Sequence, residues 1–94
     1  MSLTEQKNRI RNSLEEMLSY QFDSIDVNGK RGFQKTDGTI FIVSSFPGED
    51  AVVVEYADTF ADAQKNLFED GDRFYLSGIT TEQLFRQILE EVGR

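Results

Sequence analysis

Two short dipeptides, Asn28-Gly29 and Asp37-Gly38, constrain the fold of this chain more than any other feature. A two-residue type I′ turn needs positive φ at both central positions, and Asn-Gly and Asp-Gly adopt it most readily. Alternating and β-branched residues flank both dipeptides, and Pro47-Gly48 marks a further break. The sequence therefore predicts an antiparallel meander with two tight turns of the same kind. Its four consecutive strands are expected over 24–27, 30–36, 39–46 and 51–57.

Apolar residues at helical spacing predict a helix before the meander and another after it. The first helix is expected over 3–20, and Ser2 and Glu5 fit a capping box at its start. The second is short and begins after Asp58 or Thr59, either of which suits the N-cap position. Both helices present one apolar side, so both are expected to pack on the sheet.

The last part of the chain predicts one more strand and one more helix. Phe68 ends the apolar side of the short helix, and Gly71 is placed as its C′ residue. A fifth strand is expected over 72–77. Thr80 and Gln83 then form a capping box at the start of a final amphipathic helix.

The fold class expected from this order is α+β. The elements follow one another as α-β-β-β-β-α-β-α, in a single domain over residues 1–94. A crossover through the short helix can place the fifth strand parallel to an earlier strand. The pattern leaves open which strand it joins.

Strands three and four are apolar on both faces, which a sheet covered on one side does not require. In strand three, Ile40 and Ile42 point one way while Phe41 and Val43 point the other. Two coverings are consistent with this pattern. Either the first helix lies opposite the other two, or all helices share one face and a second copy or another protein covers the other. Under the second alternative Phe41 and Val43 are candidate partner-binding residues.

The residue types that are missing narrow the chemistry. The chain has no cysteine and no histidine, which are the usual ligands of transition metals and the usual nucleophile–base pairs. No phosphate-binding glycine motif is present. We therefore expect no enzyme, no cofactor and no metal. Apolar runs are too short for a signal or a membrane span, so a cytoplasmic protein without a membrane partner is expected.

The chain is acidic, with a formal net charge of -7. Such a surface repels phosphate backbones, so nucleic acid is not an expected partner, whereas a basic protein is. The acidic residues that we single out as candidate partner-binding residues are Asp58, Asp62, Glu69, Asp70 and Asp72. Simpler explanations are a solvated helix-to-strand turn and favourable charges at the start of a helix.

A basic strand is the second charge feature. Arg31, Phe33 and Lys35 share one face of strand two. Basic and aromatic side chains together can bind single-stranded nucleic acid. Charges on an edge strand also protect against aggregation, which is the interpretation favoured here.

These observations together predict a small non-enzymatic protein-binding or regulatory domain. It would act through the acidic surface, through the apolar sheet face, or as a homodimer. The alternative is a small-ligand module with a pocket between the sheet and the last helix, tested by thermal shift against metabolites.

Overall fold

The computed structural model describes residues 3–93 and, within them, side chains from residue 5 onward. It contains three helices and one five-stranded antiparallel sheet, and the predicted α+β class and element order are confirmed. The capping box predicted for Ser2 and Glu5 lies outside the described residues. The elements are α1 (Leu3–Ser19), β1 (Asp23–Val27), β2 (Lys30–Gln34), β3 (Ile40–Ser45), β4 (Ala51–Ala57), α2 (Phe60–Gln64), β5 (Glu69–Tyr75) and α3 (Thr81–Val92).

The strands lie in the sheet in chain order, so each strand pairs with the one that follows it. The turn between β1 and β2 is the predicted type I′ turn, with φ of 53° at Asn28 and 84° at Gly29. The second turn differs from the prediction, because Gly38 has positive φ and Asp37 does not. Lys35 and Thr39 close this hairpin, which leaves three loop residues, and such loops combine a type I turn with one left-handed glycine.

In the segment between β4 and β5, the short helix ends earlier than predicted and the fifth strand begins earlier than predicted. Helix α2 is only five residues long, and Asn66 ends it with φ of 61°. The Leu67 and Asn66 N–H groups donate back to the carbonyls of Asp62 and Ala63, which is the Schellman termination. Strand β5 therefore begins at Glu69, earlier than predicted, and it pairs antiparallel with β4 at the edge of the sheet.

Gly71 lies inside β5 instead of ending the helix. The register of β5 against β4 shifts between Val53 and Glu55, so β5 bulges opposite Val54. A Cβ at Gly71 would lie 2.5 Å from the Tyr56 ring and 2.7 Å from the Val54 carbonyl oxygen. Close packing of the bulge against β4, rather than a helix end, accounts for glycine here.

Helices α1 and α3 pack together on one face of the sheet, and the main core lies beneath them. Leu14 and Leu18 of α1 and Ile88 of α3 are fully buried there. Phe41 lies at the centre, with its ring centroid 5.0 Å from that of Phe22 and 5.3 Å from that of Phe33. The buried members of this cluster are Leu14, Leu18, Phe33, Phe41, Val43, Val52, Val54, Phe74, Leu84, Ile88 and Val92.

The opposite face carries a second, smaller cluster under α2. Val27, Ile40, Ala57 and Ala63 are its buried members. Both predicted arrangements of the helices are therefore wrong, because α1 and α3 share one face while α2 packs on the other. The chain itself accounts for the apolar residues on both faces of β3 and β4.

Lys7 of α1 fastens the turn between β3 and β4. Its side chain is 3% exposed, and its Nζ donates to the carbonyl oxygens of Phe46 and Glu49, each at 2.7 Å. A buried ammonium group is tolerated only when it is hydrogen-bonded, and bonds from a charged donor are strong. This contact holds α1 against the β3–β4 end of the sheet.

Candidate functional site

The hairpin of β1 and β2 bends across the sheet at Gly32. A Cβ at this position would lie 2.9 Å from Val27 Cγ2 and 3.5 Å from Ile40 Cγ2. Those side chains occupy the space above the glycine, and Val27 packs into the cluster with Ile40, Ala57 and Ala63. In a flat sheet the Val27 end of the hairpin would lie beside the C-terminal end of β3, far from Ile40 at its N-terminal end. Val27 nevertheless packs in one cluster with Ile40, so the hairpin must curl over the α2 face.

A hydrogen bond holds the tip of this hairpin on α2. The Asn28 Nδ2 group donates to the carbonyl oxygen of Gln64 at 2.8 Å. Gln64 is the last residue of α2, whose terminal carbonyls have no partner within the helix. The type I′ turn thus has two functions, since it reverses the chain and its first residue docks the tip.

Because the hairpin curls away, β3 loses its neighbour part-way along its length. Strands β2 and β3 pair at only two positions, Phe33 with Phe41 and Gln34 with Ile40. Strand β3 continues beyond them to Ser45. On this side, therefore, residues 42–45 have no partner strand within the described part of the chain.

The backbone groups that face the open side can be assigned from the turn. The Lys35 N–H donates to the Thr39 carbonyl oxygen at 2.8 Å, so the backbone of Thr39 points toward β2. Backbone groups alternate in direction along an antiparallel strand. The N–H and C=O groups of Val43 and Ser45 therefore point to the open side.

A cleft of about 470 Å³ lies along this open edge. Five consecutive residues of the chain, 42–46, line it. Side chains alternate between the faces of a strand, so a pocket on one face would show every second residue, whereas consecutive residues mark an edge. Arg11 and Glu15 of α1 border the cleft on one side, and residues 29–31 with Glu55, Asn66 and Phe68 complete its walls. We call this space the β3 edge cleft.

The charges in the cleft differ from those of the chain as a whole. Arg11, Lys30 and Arg31 line it together with Glu15 and Glu55, so cations outnumber carboxylates in a protein of net charge -7. Burial raises the pKa of Glu15, and the positive charges of Arg11 and Arg31 offset part of that rise. Glu15 is thus half-buried among cations on the α1 side of the cleft.

Arg11 has an unused donor. Its Nε is closed off from water and has no hydrogen-bond acceptor among the described residues. A buried donor left unpaired costs about 1–3 kcal/mol. A carboxylate that entered the cleft and drew the guanidinium toward it would remove this cost.

The open part of β3 is unlike the two outer edges of the sheet. Four of the seven residues of β5 are charged, and its register shifts between Val53 and Glu55. Strand β1 carries Asp23 and Asp26. Charges and bulges of this kind prevent strand addition. Residues 42–45, Ile-Val-Ser-Ser, carry neither device.

The predicted acidic residues do not form one patch. Glu69 pairs with Tyr56 on the α1–α3 face, whereas Asp70 pairs with Glu55 on the α2 face. Asp72 belongs to the β5 bulge, and Asp58 precedes α2, which contains Asp62. The predicted helix-to-strand turn through 69–72 is therefore a strand whose alternation separates the carboxylates. Within residues 3–93, no group of three or more acidic side chains is arranged to hold a metal ion.

The structure places the remaining predicted site residues in the core. Phe41 is 0% exposed and Val43 is 4% exposed, both beneath α1 and α3. Neither side chain is available on the surface of the described chain, although the backbone of Val43 borders the edge cleft. Leu84, Ile88 and Val92, each at most 1% exposed, occupy most of the space between the sheet and α3, where a ligand pocket is predicted. An open depression remains at the C-terminal end of α3, lined by Phe22, Lys35 and Val92.

Comparison with known proteins gives no match: no family model, no curated protein and no solved structure is significantly similar to this chain. None of the helices in residues 3–93 combines the length and apolar character needed to cross a bilayer.

Proposed function

We propose that the chain is a small, non-enzymatic protein-binding domain that takes up an extended segment of its partner along the open edge of β3. One observation carries the proposal: residues 42–46 border the β3 edge cleft consecutively. A free strand edge offers regularly spaced donors and acceptors, and adding a strand to it is a recurrent mode of peptide recognition. The proposal includes the cytoplasmic location expected from the sequence.

The dimensions suit a short segment. Four open residues correspond to about 13 Å of extended chain, at roughly 3.3 Å per residue. The outward N–H and C=O groups of Val43 and Ser45 supply the hydrogen bonds, each contributing about 0.5–1.5 kcal/mol net. Phe68, which also lines the cleft and is only half-buried, offers apolar contact to alternate side chains of the segment. An interface this small favours transient binding.

A proline substitution tests the backbone contacts directly. Ser45→Pro removes an N–H that points into the cleft, and edge positions tolerate proline because no ladder hydrogen bond is lost. Ser45→Ala keeps the N–H and serves as the matched control. We expect peptides selected from a random nonapeptide phage library to bind the wild type and Ser45→Ala but not Ser45→Pro.

Amide NMR spectra locate the bound peptide. The resonances of Val43 and Ser45 should shift on binding, while those of the β5 edge should not. Selected peptides that bind Ser45→Pro as tightly as the wild type would overturn the proposal, and so would a library that yields no binder.

A second candidate function is binding of a basic protein through the acidic residues of 58–72. The observation that favours it is the direct pairing of Glu55 with Asp70, since a cation placed between two opposed carboxylates relieves their repulsion. Replacing Asp58, Asp62, Glu69 and Asp70 by Lys should then abolish binding of a lysine-rich probe peptide. If the variant binds the probe as the wild type does, the acidic surface has no role in partner binding.

A homodimer is the third arrangement expected from the sequence. The apolar residues on both faces of the sheet are covered by the chain's own helices and hairpin, so a dimer would use a strand edge. Light scattering over a range of concentrations measures this, and Ser45→Pro distinguishes the β3 edge from the outer edges.

A further inference from the structure

We infer that the segment bound in the β3 edge cleft is acidic, with carboxylates alternating with apolar residues. This inference rests on the proposed function and adds the chemistry of the partner. It follows from the arrangement of charge and apolar surface around an added strand. The side chains of such a strand would alternate between the α1 side and the α2 side of the sheet.

The α1 side of the cleft is cationic. Arg31 lies on the same face of β2 as Phe33, which is buried in the core under α1 and α3. Arg11 lines the cleft from α1 itself. The positive charges of both arginines act on the Glu15 carboxyl, which shows that they surround one region. Every second side chain of the added strand would therefore meet two guanidinium groups and one carboxylate, that of Glu15, which leaves this side with an excess of one positive charge.

The α2 side of the cleft is more apolar. Val43 and Val54 form a cross-strand pair whose side chains point into the core under α1 and α3. Ile42 pairs with Glu55 at the next position along the strand, so its side chain points to the opposite face, that of α2. Phe68 packs here with the smaller cluster. The intervening side chains of the added strand would therefore contact mainly Phe68, because Ile42 is 3% exposed. Lys30 and Glu55 place one cation and one carboxylate on this side, so it favours neither sign of charge.

Arg11 is the second observation that points to a carboxylate. A guanidinium is a fork of donors that matches a carboxylate in bidentate geometry. The Arg11 Nε has no acceptor within residues 5–93. An acidic side chain of the partner provides one.

The negative net charge of the chain does not prevent this recognition. At physiological ionic strength the Debye length is about 8 Å, so exposed charges beyond the cleft are largely screened. The groups that border the cleft then determine which charge it prefers. Three cations and two carboxylates border it.

Three end-blocked hexapeptides provide the test, in which Val alternates with Glu, with Lys or with Ser. We expect the Glu peptide to bind most tightly in a fluorescence titration. Arg11→Gln and Arg31→Gln should each weaken it by about tenfold, the lower end of the effect of losing one hydrogen bond to a charged group. Arg86→Gln removes the same charge from the exposed side of α3, outside the cleft, and should leave the affinity unchanged. Because the Arg31 side chain is exposed, Arg31→Gln remains informative even if Arg11→Gln does not fold.

The outcomes separate the two levels of the argument. If the Lys or Ser peptide binds as tightly as the Glu peptide, and Ser45→Pro abolishes that binding, the acidic preference is wrong and the edge-binding function stands. Unchanged Glu-peptide binding by Arg31→Gln overturns the acidic preference as well. If no peptide binds and light scattering shows a dimer that Ser45→Pro dissociates, both are overturned and the edge is an interface between copies. If no peptide binds a monomeric protein, the acidic preference is wrong, and the random-library selection alone decides whether the edge-binding function stands.

Discussion

Glu55 of β4 and Asp70 of β5 are directly opposite each other across the sheet. Like charges in this position are destabilising, by up to about 1 kcal/mol. The pair lies on the α2 face, and Glu55 also borders the β3 edge cleft. Stability is therefore reduced at a position that adjoins both candidate binding surfaces.

We expect Asp70→Asn to raise the free energy of unfolding by about 0.5 kcal/mol, and Asp70→Lys by up to about 1 kcal/mol, because Lys forms an opposite-charge pair with Glu55. Urea denaturation monitored by circular dichroism measures both. Asp23→Asn is the control, since Asp23 is also on a strand but faces the uncharged Gln34. Equal changes in Asp70→Asn and Asp23→Asn would show that general charge reduction, rather than the cross-strand pair, is responsible.

The buried Lys7 should contribute strongly to stability. Lys7→Met keeps most of the volume but removes the charged donor from both carbonyls, and the Phe46 carbonyl then keeps only the longer bond from the Glu49 N–H, at 3.3 Å. We expect a loss of about 2 kcal/mol, because one charged donor supplies two buried acceptors. Arg9→Met on the exposed side of α1 is the matched control and should change stability by less than about 0.5 kcal/mol. Similar losses in both variants would contradict the role of the Lys7 contacts.

The element order could be predicted because local signals agree with the fold at each step. Asn28-Gly29 does form a type I′ turn, and Thr80 and Gln83 form the predicted capping box. The errors occur where tertiary contacts prevail over local pattern. Phe68 fits a helical stripe by spacing, yet the helix ends at Asn66, whose φ is 61°, and the chain pairs with β4 from Glu69 onward.

The edge cleft could not be predicted from periodicity. It depends on the hairpin curling over α2, which two interactions distant in sequence establish: Val27 packs in one cluster with Ala63, and Asn28 donates to the Gln64 carbonyl oxygen. The available signal was Gly32 inside a predicted strand, since such a glycine often marks close approach of another part of the chain. Phe41 and Val43 are candidate partner-binding residues by sequence alone, because alternation shows that a strand has two apolar faces but not what covers them.

The Asn28 side chain should control how firmly the hairpin tip is held on α2. Asn28→Gly preserves the positive φ that the turn needs but removes the donor to the Gln64 carbonyl. We expect a loss of about 1 kcal/mol in unfolding free energy. Hydrogen exchange should become faster at the tip of β1 and β2 and stay unchanged in β4. If exchange at the tip is unchanged, the bond does not hold the hairpin.

The phenol of Tyr56 is expected to determine how the stability of the protein changes at alkaline pH. Burial raises the pKa of its phenol to about 12, and the negative charges of Glu91 and Asp72 add to the effect. The hydroxyl is shielded from water and has no hydrogen-bond partner among the described residues. Its ring lies against Phe41, with centroids 6.3 Å apart.

These properties predict that stability decreases as the pH rises from about 10 to about 12. In that interval the unfolded phenol, with an ordinary pKa of about 10, has lost its proton while the folded one retains it. The unfolded state then binds fewer protons, so the free energy of unfolding falls with rising pH. Tyr56→Phe should flatten this dependence and, at neutral pH, leave stability unchanged or raise it by up to about 1 kcal/mol, because an unpaired hydroxyl is removed.

The difference between the ultraviolet pH titrations of the wild type and Tyr56→Phe should show a midpoint near 12. Tyr20→Phe, at an exposed position, is the control and should keep the wild-type decline. A Tyr56→Phe protein that loses stability as steeply as the wild type would assign the alkaline transition to other groups.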